Sequence, residues 1–100
     1  MTEIHSWLLS QHHGLGTYKA LYSRLMRLES ADTSYRVFYR ILLAIVGNFI
    51  ETYDEEPLCV DKAERSFRVL AAAVENAELA MSESPALQIA ALNRLASVRL

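Results

Sequence analysis

The sequence predicts an all-α protein, a compact antiparallel bundle of about four helices in a single domain. Three observations carry this. Apolar residues recur at three- and four-residue spacing through most of the 100 residues. No stretch alternates apolar and polar residues between turn signals, as a half-buried strand does. The breakers Gly14, Gly16, Pro57 and Pro85 fall between the periodic runs. Residues 1–100 are the length of one domain.

The first helix is short. Thr2 is its expected cap, and Ile4, Trp7 and Leu8 share one face. His12-His13-Gly14-Leu15-Gly16 then kinks or breaks it, because each glycine costs a helix interior about 1 kcal/mol. Thr17 is read as the restart. Tyr18, Leu21, Tyr22, Leu25 and Leu28 follow at helical spacing.

A turn signal at Glu29-Ser30-Ala31-Asp32-Thr33 makes Asp32 or Thr33 the expected cap of the central helix. That helix, over residues 35–53, is the most apolar in the chain. Tyr35, Phe38, Leu42, Ile45 and Phe49 form one stripe. Val37, Ile41, Ala44 and Ile50 form a second, and two stripes imply two neighbours. Pro57 ends the run.

Asp61-Lys62-Ala63-Glu64 has the form of a capping box. Beyond it Ala63, Phe67, Leu70, Val74, Ala77 and Met81 repeat at heptad spacing, which predicts shallow-angle packing on a neighbour. Ser84 as cap with Pro85 at the first helical position starts the last helix, with Leu87, Ala91, Leu95 and Val98 on one face.

Composition narrows the function classes. The hydrophobic fraction is 52% and the charged fraction 22%. A chain of this size has limited interior for so many apolar side chains, so some are expected to face a partner. The expected interface residues are Tyr35, Phe38, Leu42, Ile45, Phe49, Phe67, Leu70 and Val74, and the expected partner is a second copy of the chain or one other protein. Net charge is −2. The first fifty residues carry a small positive excess and the last fifty a negative one, an arrangement suited to antiparallel self-packing. The basic residues are too dilute for a nucleic-acid footprint, so no nucleic-acid partner is expected. The apolar run Ile41 to Ile50 is too short to cross a bilayer. A lone Cys59 and a start without a secretory signal predict a cytoplasmic location.

Catalytic constellations are missing. Cys59 has no histidine near it in sequence, Ser66 and Ser97 lack an elbow, and Asp54-Glu55-Glu56 reads as a solvated helix end. His5, His12 and His13 cluster, but no further ligand joins them for a metal site. The expectation is a non-enzymatic interaction or regulatory protein.

One family resemblance stands beside this reading. Trp7-Leu8-Leu9-Ser10-Gln11-His12-His13 resembles the opening helix of bacterial heme oxygenases, in which a histidine holds the haem iron from the proximal side. Ser30-Ala31-Asp32-Thr33-Ser34-Tyr35-Arg36-Val37-Phe38, with Glu51, resembles their next helix. The resemblance covers residues 4–51 and implies haem as cofactor and His13 as its ligand. Thr17 stands where the family often places an acidic residue, the glycine-rich distal helix has no counterpart, and family chains are much longer. What the resemblance implies is therefore a truncated, ligand-binding relative rather than a working oxygenase.

Overall fold

The computed structural model describes residues 4–100. Five helices follow one another: α1 (Ile4–Leu9), α2 (Leu15–Ala31), α3 (Arg36–Tyr53), α4 (Val60–Ala80) and α5 (Pro85–Ala96). A single 3-10 turn, Thr33–Tyr35, precedes α3, and the described residues contain no strand. The expected cap Thr2 lies outside the described residues.

Cross-chain contacts establish the antiparallel arrangement. Between α2 and α3, Lys19 meets Asp54 at 2.8 Å at one end, and Glu29 meets Arg40 at 3.0 Å at the other. Between α1 and α4, Glu78 binds the start of α1 while His13, past its end, stacks on Phe67. Gln88 of α5 donates to the Met81 carbonyl at 3.1 Å, and beyond α5 the Leu100 carbonyl accepts from Lys62 and Ser66 of α4. α2 and α3, α4 and α5, and α1 and α4 thus run antiparallel, the first two pairs across short connections.

The heptad positions of α4 behave as the spacing predicts: Ala63, Phe67, Leu70, Val74, Ala77 and Met81 are all buried. They meet Tyr18, Leu21 and Leu25 of α2 and Phe38, Leu42, Val46 and Phe49 of α3 in one core, which Ile4 and Leu8 of α1 close. Burying each large aliphatic side chain contributes about 1.5–3 kcal/mol before chain entropy is set against it. The last helix is less committed. Ala91 and Leu95 are buried, but Leu87 and Ile89 stay exposed.

Helix starts show which local signals hold. Ser84 caps α5 by accepting from the Leu87 N–H at 3.4 Å, with Pro85 in the first turn. α4 begins at Val60 with Cys59 as its cap residue, so Asp61 sits inside the first turn rather than at the cap. The extended backbone after Pro57 lets the helix start earlier than the capping box implies. Asp61 still meets the positive end of the dipole there. Thr17 likewise does not restart the chain. α2 begins at Leu15 with Gly14 as cap residue, and Thr17 is buried in its first turn, its N–H on the Gly14 carbonyl at 3.1 Å. Asp32 caps the 3-10 turn, not α3: one carboxylate oxygen accepts from Ser34 N–H at 3.2 Å and the other from the Tyr39 hydroxyl at 2.8 Å.

Candidate functional site

The eight residues expected at an interface divide sharply. Phe38, Leu42 and Phe49 of α3, and Phe67, Leu70 and Val74 of α4, are buried in this chain's own core. They do not form an exposed surface, which corrects the expectation drawn from the sequence. The reason is that the most apolar stripe of each helix gains most from burial and is covered first, by α1, α2 and α5 within the chain. Tyr35 and Ile45 are half-buried at the edge.

Several large apolar side chains stay outside, among them Leu9, Val60, Leu79 and Ile89. On α3 the outer line follows the second stripe through Val37, Ile41 and Ala44 but continues to Asn48 rather than to the half-buried Ile50. Val37 is 60% exposed. Ala44 and Asn48 are exposed, and Ile41 lies half-buried beside them. Positions 37, 41, 44 and 48 repeat at helical spacing, so the four side chains share one line along the helix. A groove runs on each side of that line. One, about 350 Å³, is walled by Ile45, Phe49 and Tyr53 of α3 and by Val98 and Leu100 past α5. The other, about 420 Å³, lies towards α2 and is walled by Tyr22, Leu43 and Ile50. Both grooves take in Ala44 and Asn48. Met26 of α2, on the same hairpin, is exposed as well. A ridge of small side chains between two mainly apolar furrows is a shape that accepts another helix.

Charges bracket this face. Glu29 holds both Arg40 at 3.0 Å and Arg36 at 3.4 Å near the start of α3. At its other end stand Glu51, Asp54, Glu55 and Glu56, of which Asp54 is paired with Lys19. Exposed pairs of this kind each contribute about 0–1 kcal/mol.

The histidines do not converge. His5 faces Glu75 at 3.6 Å, His12 is exposed, and His13 lies flat on Phe67 with ring centroids 4.2 Å apart and planes 20° apart. No group of three His, Cys, Asp or Glu among the described residues is placed to hold a metal ion. The cleft beside His13, about 550 Å³, is bounded by residues 11–15, Leu58 and the first turns of α4, where Glu64 lines it. The His13 ring rests on Phe67, a packing contact within the chain. Cys59 is exposed at the start of α4.

Three polar features of the interior escape sequence reasoning. The Glu78 carboxylate accepts from the backbone N–H groups of Ile4 at 2.9 Å and His5 at 2.7 Å, capping α1 from another helix. Its only signal in the sequence is an acid one step beyond Ala77 on the buried stripe of α4. Tyr18 is buried against Phe49, rings 4.1 Å apart, with no hydrogen-bond partner for its hydroxyl, and burial pushes that hydroxyl's pKa well above the usual tyrosine range. Arg24 lies over the Trp7 ring at 5.4 Å, its Nε buried without a hydrogen-bond acceptor.

Among the described residues no helix is long and apolar enough to cross a membrane. Comparison with protein families, with curated proteins and with solved structures finds no match to this chain.

Proposed function

We propose that this is a non-enzymatic helical interaction protein that works as a homodimer, with the outer face of α3 as its contact surface. The observation that carries this reading is the line Val37, Ile41, Ala44 and Asn48, left outside with a groove on each side after the chain has filled its own core. A stable interface buries about 800 Å² on each partner. The stripe alone is narrower than that, so Tyr22 and Met26 of α2 and the segment around Val98 belong to the same contact. The lone exposed thiol of Cys59 accords with a reducing, cytoplasmic setting.

The test is Ala44→Arg. This side chain is exposed, so the substitution leaves the core intact while setting a long charged group on the middle of the ridge. Light scattering on the eluting peak should show a dimer for the native chain and a folded monomer for the variant. A native chain that is monomeric at high micromolar concentration would overturn the reading.

A further inference from the structure

We infer that the two copies pair through α3 in an antiparallel sense, so that Arg40 of each chain meets the partner's Glu51. This rests on the self-association proposed above and adds its geometry.

Charge is distributed unevenly along the exposed side of α3. Arg36 and Arg40 stand in its first turns, whereas Glu51 and Asp54 stand at its end with Glu55 and Glu56 beyond. Parallel pairing would stack like charges at both ends. Antiparallel pairing sets basic against acidic at both ends at once, and it also opposes the two helix dipoles favourably.

Arg40 and Glu51 are eleven residues apart, which is about three turns, so they share one face of the helix with Ala44. The midpoint between Arg40 and Glu51 falls within one residue of the midpoint between Ala44 and Asn48. A single two-fold axis therefore places both ion pairs symmetrically while crossing the helices at the small, open part of the ridge. An isologous contact needs that coincidence, because each residue must find its counterpart twice.

The Arg40 side chain is 70% exposed, and Glu29 takes its Nε while also serving Arg36. One carboxylate between two guanidinium groups leaves a positive charge in excess, and Arg40 has further N–H donors beyond the Nε that Glu29 takes. Glu51 is exposed and has no ion pair among the described residues.

The experiment is charge reversal measured by sedimentation. Arg40→Glu and Glu51→Arg, each alone, should weaken self-association by about tenfold or more, since each puts like charges together at both symmetric contacts. Mixing the two variants in equal amounts should restore a dimer of near-native affinity, because both contacts then pair opposite charges. The double variant should dimerise by itself for the same reason. Arg40→Glu also sets a carboxylate beside Glu29, so circular dichroism must show it folded. Glu51→Arg disturbs no internal ion pair, and if Arg40→Glu does not fold, a loss of affinity in Glu51→Arg that Arg40→Gln/Glu51→Arg relieves, since no like charges then meet, decides the matter. A dimer that Ala44→Arg breaks but that ignores both reversals, or that mixing fails to rescue, overturns the antiparallel register and leaves the α3 surface standing. A native chain without self-association overturns both.

Discussion

The ring of Tyr22 lies across Gly47: a Cβ built on Gly47 would meet the Tyr22 Cε2 atom at 3.2 Å. Glycine at this point lets α2 and α3 approach through a flat aromatic contact. It also costs α3 about 1 kcal/mol against alanine in helix propensity. The atom in the way is the far edge of a partly exposed ring, which can shift by a few tenths of an ångström. Gly47→Ala is therefore expected to raise the thermal midpoint modestly, by up to about 1 kcal/mol of stability. Gly47→Leu displaces the whole ring and is expected to lower it. Thermal melts of the two variants check the sign, and a loss of stability in the alanine variant would mean that the Tyr22 ring is held rigidly.

Glu78 links α1 to the body of the bundle. A helix of six residues is too short to persist by propensity, so its stability depends on packing of Ile4 and Leu8 and on this carboxylate at its first N–H groups. Glu78→Ala should cost about 1–2 kcal/mol, the scale of a lost helix cap. Hydrogen exchange should quicken over Ile4–Leu9 first, with the rest of the bundle following only to the extent of the global loss. Unchanged exchange in α1 would show that apolar packing alone holds it.

Tyr18 is expected to contribute to the loss of stability at alkaline pH. Its hydroxyl is buried without a partner, and desolvation raises its pKa in the folded state. Below the unfolded tyrosine pKa of about 10 both states keep the proton, and stability does not depend on this group. Above it the unfolded chain releases the proton while the folded chain retains it, so stability falls as pH rises. Tyr18→Phe should remove that part of the alkaline loss. At neutral pH it should leave stability unchanged or raise it, because it deletes a buried hydroxyl that lost its water and gained no hydrogen bond. Denaturant melts from pH 7 upward test this, and identical alkaline slopes in the two proteins would contradict it.

Hemin addition gives a clear answer on His13. With the His13 ring engaged on Phe67, the protein should leave the absorption band of free hemin unshifted, and His13→Ala should behave the same. A shifted Soret band that disappears in His13→Ala would restore the haem reading.

Helical periodicity carries the overall architecture from the sequence. The α4 stripe from Ala63 to Met81 and the Ser84-Pro85 start are visible because each depends on residues within a few positions of one another. Features that depend on distant pairs are not visible. The Glu78 cap joins groups 74 and 73 positions apart, and no local pattern announces it. The interface expectation goes astray at Phe38, Leu42 and Phe49 for a related reason. Apolarity marks a residue for burial without naming the covering surface, and the chain's own helices compete first for its largest side chains. On α3 that competition leaves the smaller Val37 and Ala44 outside. Local capping signals mislead at Asp61 because the backbone leaving Pro57 enters helical geometry two residues sooner than a side-chain cap at Asp61 requires.

The central claim is that the outer face of α3 is covered by a second copy. Light scattering across a dilution series from high to low micromolar measures it directly. The account predicts a mass at twice the 11.3 kDa of the chain that falls towards the monomer on dilution, and at higher concentration for Ala44→Arg. A constant mass of one chain over the whole series would contradict it.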